Sequence, residues 1–222
     1  MQVWRFLRRL LAVIVLAPAA VVPLYRFAPP PGTPLMLIRL AEGERADYRF
    51  VPLAQIAPEL PRLVVAAEDN LFCRHWGFDT EALQEQIEMA LEGETARGAS
   101  TISMQLAKNL FLWPGRSFVR KGLELWLTPY VELLLPKRRI IELYRNVAEW
   151  GHGVYGAEAA ALAHFRVPAS RLSSAQASLL AAVLPNPRRW PAGSPTPYIQ
   201  QRAAIYRQRV GRLGPAYLGC LS

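Results

Sequence analysis

The chain has 222 residues, 52% of them hydrophobic, and a formal net charge of +9. That length holds one domain with a sizeable core plus an accessory segment, and the apolar content exceeds what such a core needs. The positive charge calls for an anionic partner. No nucleic-acid-binding module, zinc-finger spacing or RNP-like aromatic strand occurs, so an anionic lipid surface is favoured and nucleic acid is not expected.

At the start, Arg5, Arg8 and Arg9 precede an uncharged run from Leu10 to Tyr25 that closes on Arg26. As a helix this run spans about 24 Å. It is short for a bilayer core but workable with arginines at its ends and Trp4 and Tyr25 at the interfaces. The basic flank sets the N-terminus in the cytoplasm. A cleaved signal peptide is the rival reading, because Ala17-Pro18-Ala19 has a small-x-small pattern, although Pro18 opposes processing. The expected division is residues 1–27 as cytoplasmic tip and transmembrane anchor, the Pro-rich stretch 28–34 as a stiff linker, and 35–222 as one domain.

LMLIRL from Leu35 and DYRFVPL from Asp47 predict short strands joined through Glu42-Gly43-Glu44, a hairpin ahead of a helical region. Asp79 and Thr80 can cap a helix carrying Leu83, Ile87 and Leu91, which Gly93 and the Gly98 turn end. The next predicted helix runs over 100–112, with Ile102, Leu106 and Leu110 buried and Thr101, Gln105 and Lys108 on a polar stripe bordering a cleft. Ser117 can cap a helix to Leu135 with Leu123, Leu127 and Val131 inward and a kink at Pro129. Pro136 suits the start of another through Val147, and an alanine-rich, closely packed helix follows from Tyr155 to Phe165. Ser173 and Gln176 form a capping-box pattern. The last helix carries Ile199, Ala203, Tyr206, Val210 and Leu213, with arginines on its other face. Of the two cysteines, Cys73 is expected to be a buried, inert thiol; a disulfide with Cys220 is possible but unsupported.

The candidate site lies between Glu68 and Lys108. EDNLFCRHWG begins at Glu68 and GASTISMQLAKN at Gly98; then come RKGLE from Arg120, KRRIIELYRN from Lys137, GVYGAEAA from Gly153 and ASLLAAVLPNPRRWP from Ala177. In order and over roughly residues 47–195, these motifs resemble those of the bacterial peptidoglycan glycosyltransferases, the lysozyme-like family that polymerises lipid II. The resemblance implies a mainly α, lysozyme-like helical domain with a short β-hairpin near its start, preceded by a transmembrane helix.

It also implies roles for particular residues. Glu68 matches the family's general base, and Asp69 beside it should point elsewhere on a helix or strand. His75 supports by hydrogen bonding. Lys108, Arg120 and Lys121 hold a diphosphate, while Glu124 orients those cations or a bound metal. Ser100, Thr101 and Gln105 contact the donor. Lys137, Glu142, Tyr144 and Asn146 are expected to be mainly structural. Arg120 precedes Glu124 by one turn, the less favourable order for helix stability, so helix design alone explains the pair poorly. The sequence departs from the family's usual pattern at Met104, where many members have glutamine, and at Arg145, where leucine is usual.

By resemblance the activity is inverting glycosyl transfer, joining lipid II units into β-1,4-linked strands and releasing polyprenyl diphosphate. The partners are lipid II, the growing lipid-linked strand, the membrane, and cell-wall synthesis proteins. No cofactor is obligatory: the sequence has no dedicated metal cage, and a divalent cation such as magnesium arrives with the diphosphate. The placement implied is the inner membrane, single-pass, with the catalytic domain periplasmic. No SxxK, SxN or KTG set occurs, so a transpeptidase domain is not expected. A lysozyme-like lytic hydrolase is one alternative, but it has no use for the Lys108, Arg120 and Lys121 cations. A non-catalytic scaffold is the other, and its expected mark, a lost glutamate, is missing.

Overall fold

The computed structural model describes residues 2–92, 98, 100–115 and 117–221. The fold is mainly helical with one small sheet. Helix α1 (Gln2–Val21) continues through a turn into α2 (Leu24–Phe27). The apolar stretch Trp4–Phe27 covers 24 residues with mean hydropathy 2.1, about 36 Å as a helix. It is longer than the Leu10–Tyr25 run because the arginine-bearing first turns are helical too. Phe6, Leu11 and Leu16 are 65%, 62% and 62% exposed, a bare apolar surface. Among the described residues only its far end is covered: Val22 is fully buried, and Tyr25 packs on Phe111 with ring centroids 6.1 Å apart.

The Pro-rich stretch after it is docked. Tyr48 donates its hydroxyl to the Pro30 carbonyl at 2.9 Å, and Arg139 donates to the carbonyls of Tyr25 and Ala28 at 2.7 and 3.0 Å. The strand expected from Leu35 is instead helix α3 (Pro34–Ala41). Thr33 caps it by accepting from the Met36 amide at 3.3 Å, and Pro34 occupies the first turn, where its missing N–H costs nothing. This start signal outweighs the strand-like composition of LMLIRL. The expected hairpin therefore does not form there. Strand β1 (Asp47–Tyr48) pairs in parallel with β3 (Val154–Tyr155), which pairs antiparallel with β2 (Glu149–Gly151). The hairpin of the molecule is this β2–β3 turn. Gly153 closes it at φ +68°, where a Cβ would sit 2.1 Å from the Arg45 carbonyl oxygen.

The core is built from α4 (Glu59–Glu68), α6 (Ile102–Phe111), α7 (Phe118–Leu134), α8 (Lys137–Val147) and α10 (Ser174–Val183), with α11 (Pro197–Arg212) across α10 and α4. Ile102, Leu106 and Leu110 are buried as expected, and Ser173 with Gln176 forms the capping box. Leu127 and Val131 face inward while Leu123 is half-buried. Pro129 lies inside α7, and Ser117 caps that helix. The alanine-rich helix α9 (Ala157–Phe165) buries Ala157, Ala159, Ala160 and Ala161 completely, allowing close approach of its neighbours. Helix α5 (Thr80–Leu91) forms as expected, with Asp79 Oδ1 accepting from the Ala82 amide at 2.9 Å. Leu83 is 44% exposed, and the side chains of Ile87 and Leu91, like Gly93, lie outside the described residues.

Two features depart from expectation, a half-buried disulfide and a fully buried arginine. Cys73 is not a free thiol: it is bonded to Cys220, with Cα atoms 5.5 Å apart across 147 residues of sequence. Arg74 reinforces that junction by donating to the Tyr217 hydroxyl at 3.2 Å. The cross-link ties the chain's last turns to the loop that follows Glu68. Replacing Cys220 with serine is expected to cost about 2–5 kcal/mol, read as a fall in Tm of roughly 5–15 °C. A melting curve that neither the substitution nor a thiol reductant moves would contradict it. Arg145 is fully buried; its Nε donates to the Ile141 carbonyl at 3.1 Å, and its two terminal nitrogens have no partner among the described residues. Burial pushes its pKa down to about 9.

Candidate active site

The site begins where α4 stops. Glu68 is the last helical residue and Asp69 leaves the helix at φ −163°, ψ 80°, so adjacent carboxylates enter different surroundings. The Asp69 side chain is buried. Its oxygens lie 2.9 Å from His75 Nε2, and Oδ2 accepts from the Ile102 amide at 2.9 Å, at the N-terminus of α6 where a carboxylate is favoured. The Gly77 amide donates to His75 Nδ1 at 3.0 Å, which leaves the ring proton on Nε2, facing Asp69.

Gly77 is required at the end of this loop. Its φ is +91°, and a Cβ there would lie 2.8 Å from the side chains of Thr128 and Glu132. Its carbonyl accepts from the Thr101 hydroxyl at 2.6 Å, and that hydroxyl in turn caps α6 through the Met104 amide at 3.2 Å. The two leading motifs are thus bonded into one frame, with Met104 buried in the core. Asp69, His75 and Thr101 all have polar atoms committed to that frame.

Glu68 faces a cleft of about 490 Å³ walled also by Asp79, Glu81, Ser100 and Arg209. Gln105 Nε2 donates to Glu68 Oε2 at 3.0 Å, and Tyr144 donates its hydroxyl to Gln105 Oε1 at 2.8 Å. Burial is the largest influence on Glu68 and raises its pKa above the ordinary carboxylate range. The Gln105 hydrogen bond and the charges of Arg202 and Lys108 oppose it, and Asp69 adds to it. A carboxylate poised in this way exchanges protons closer to neutral pH than an exposed one.

The cations stand on α6 and α7. Arg120 and Lys121 each donate to a different oxygen of buried Glu124, at 2.8 and 2.7 Å, and Lys121 also reaches Ser100 Oγ at 2.9 Å. The Glu124 carboxylate therefore orients two cations at once. With both oxygens so occupied, these residues fit a cation cluster better than a metal cage. Lys108 makes no hydrogen bond through its ammonium among the described residues. Burial lowers its pKa, with Glu124 the largest opposing influence and Glu68 a further one. Lys108 and Arg120 also line a cavity of about 280 Å³ whose apolar walls include Leu35, Leu112 and Trp113. Carboxylate and cations thus serve neighbouring cavities, with Lys108 electrostatically coupled to both Glu68 and Glu124.

The sequence-expected residues therefore divide into groups. Glu68 and Gln105 meet directly; Ser100, Arg120, Lys121 and Glu124 meet directly; Asp69, His75 and Thr101 build the frame. Three participants were missed. Tyr144 was expected to be structural, yet its hydroxyl ends on Gln105. Arg202 and Arg209, assigned with the other arginines to the outer face of the last helix, turn inward. Arg202 lies against Trp190, Tyr198 and Tyr206, and Arg209 donates to the Ala66 carbonyl at 2.8 Å. Tyr198 and Tyr206 lie one turn either side of Arg202 on α11, a local signal that the arginine-rich face masked, whereas the Ala66 partner of Arg209 is 143 residues away in sequence.

Comparison with known proteins bears on the same residues. The Transglycosylase family model matches residues 36–210. A biosynthetic peptidoglycan transglycosylase of Caulobacter vibrioides is 52% identical over 206 residues, covering 89% of this chain and 90% of the relative. One from Rhodospirillum centenum is 53% identical over 210 residues, covering 93% and 91%. Another from Ectopseudomonas mendocina is 49% identical over 219 residues, covering 96% and 90%. The matched span runs from α3 to α11 and takes in the Glu68 loop, the Gln105 helix and the Arg120–Glu124 turn, and by it the chain belongs to the transglycosylase family.

Proposed function

We propose that the chain is a peptidoglycan glycosyltransferase that polymerises lipid II into β-1,4-linked glycan, inverting the anomeric carbon and releasing polyprenyl diphosphate. In this reading Glu68 accepts the proton of the acceptor's 4-hydroxyl as that oxygen attacks the anomeric carbon of the lipid-linked donor strand. The bond from that carbon to the diphosphate oxygen breaks, and the diphosphate leaves with the electron pair. Lys108, Arg120 and Lys121 stabilise the charge it gains; fixed cations aimed at developing charge lower a barrier most when they need no reorganisation. Glu124 supplies that fixity. Ser100 and Gln105 border the donor, and Asp69 and His75 hold the loop that follows Glu68.

The observation that carries this reading is the Arg120–Lys121–Glu124 group, with Lys108 electrostatically coupled both to it and to Glu68. A raised Glu68 pKa alone would serve a lytic hydrolase equally well, as a proton donor to a sugar leaving group. Hydrolysis releases no diphosphate and gives three clustered cations nothing to do. The site needs no metal of its own in this reading; a divalent cation such as magnesium would arrive with the diphosphate and would add positive charge beside Lys108, Arg120 and Lys121.

The long apolar N-terminal helix anchors the domain beside its lipid-linked substrates. The Arg5, Arg8 and Arg9 flank supports a cytoplasmic N-terminus and, with it, a domain on the periplasmic face of the inner membrane. The Cys73–Cys220 disulfide supports an exported, oxidising location. Other cell-wall synthesis proteins are the partners this placement invites. The test is incubation of the detergent-solubilised chain with fluorescent lipid II and, separately, with preformed glycan, resolved by gel. A ladder from lipid II with preformed glycan left intact is expected. Shortened glycan and no ladder would make the chain a hydrolase.

A further inference from the structure

The hydrogen bonds behind Glu68 form a directed chain. Tyr144, on α8, is 2% exposed, and burial raises its pKa well above the ordinary phenol value, so its hydroxyl stays protonated. That hydroxyl is 2.8 Å from Gln105 Oε1. Gln105 Nε2 is 3.0 Å from Glu68 Oε2 and 3.4 Å from the Ser100 carbonyl oxygen, two acceptors that both require a donor. The amide therefore has one satisfactory orientation while Glu68 is ionised: oxygen toward Tyr144 and NH2 toward Glu68. Both donors point toward the base, so their dipoles reinforce one another.

Resting on the glycosyltransferase reading above, we propose that Tyr144 is a positioning residue that, by locking the Gln105 amide, holds Glu68 in its proton-accepting form. Tyr144 touches no substrate in this arrangement and acts only through Gln105. Other groups face Glu68 from every side: Asp69 from its own strand of chain, Lys108 from α6, Arg202, Tyr206 and Arg209 from α11, and Asp79, Glu81 and Glu85 around the cleft. Among the described residues none of these donates a hydrogen bond to the Glu68 carboxylate, and Gln105 does. Removing the Tyr144 hydroxyl leaves Gln105 Oε1 without its donor, so the amide drifts and the Glu68 bond weakens. The sign follows: a carboxylate that loses a donor is harder to ionise, and its pKa rises.

The experiment is the pH dependence of polymerisation by wild type, Tyr144→Phe, Gln105→Leu and the double variant. The acid limb of the Tyr144→Phe rate is expected about 0.5–1 pH unit higher than that of wild type. That shift means a roughly 3- to 10-fold loss below the limb and little change above it, with KM unmoved. Gln105→Leu shifts the limb at least as far, and the double variant no further than Gln105→Leu alone. Coincident limbs for wild type and Tyr144→Phe, or additive shifts, would overturn the proposal. If Tyr144→Phe fails to melt cooperatively, 3-fluorotyrosine at position 144 replaces it. As a stronger donor it is expected to move the limb to lower pH, and an unmoved limb counts against the relay. Carbon-13 titration of the Glu68 carboxyl, assigned by its loss in Glu68→Gln, reads the same shifts without substrate. Absence of polymer from wild type would thus reject the glycosyltransferase reading while leaving the relay separately decided.

Discussion

Glu68→Gln is expected to remove polymerisation, lowering kcat by about 10²–10⁴-fold, the range set by losing a positioned base. The substitution is close to isosteric, and Gln105 Nε2, 3.0 Å from Glu68 Oε2, can still donate to the new amide oxygen. Melting temperature should therefore hold while the rate falls. The pH profile separates this from a folding defect. Burial raises the Glu68 pKa, so the wild-type rate climbs with pH through a limb displaced above the ordinary carboxylate range, as the base ionises. The variant's residual rate should lack that limb. A Glu68→Gln enzyme within tenfold of wild type, or one that keeps the same limb, would assign the base elsewhere.

Arg120→Ala is the second large effect, an expected fall in kcat/KM of about 10²–10³-fold, as for the loss of one fixed donor to developing charge. Arg120 is 9% exposed and bonded to Glu124, so it is held in place before substrate arrives. Arg120→Lys should recover only part of the rate, since a lysine keeps the charge but loses the planar fork. Lys121→Ala should cost less: its side chain is 38% exposed, and a solvated ammonium contributes less. Equal losses at both positions, or a loss that appears only in KM, would mean the cations bind substrate uniformly and do not act on the leaving group. Melting curves are needed alongside, because removing Arg120 leaves buried Glu124 with Lys121 as its only remaining hydrogen-bonding cation among the described residues.

Much of this site was legible in the sequence because its parts are local. Ser117 capping α7 and the Arg120–Glu124 turn each lie within a few residues, and periodicity placed Ile102, Leu106 and Leu110 inward. The misreadings have particular causes. LMLIRL suits a strand by composition, and the Thr33-Pro34 start that makes it helical sits just outside the run. The Cys73–Cys220 bond spans 147 residues and has no spacing rule. Arg202 belongs to a helix whose arginine-rich face reads as solvated, whereas its guanidinium stacks on Trp190, Tyr198 and Tyr206. Tyr144 was visible in its motif but not its target, because Gln105 is 39 residues earlier. Long-range polar partners are what a single sequence hides.

The most direct measurement counts polyprenyl diphosphate released against disaccharides joined, using wild type and labelled lipid II in one reaction. One diphosphate for each glycosidic bond formed is the expected stoichiometry, with both quantities vanishing together in Glu68→Gln. Glycan cut without diphosphate release, or neither product from folded protein with and without magnesium, would contradict the assignment of this Glu68 and cation-lined site to glycan synthesis.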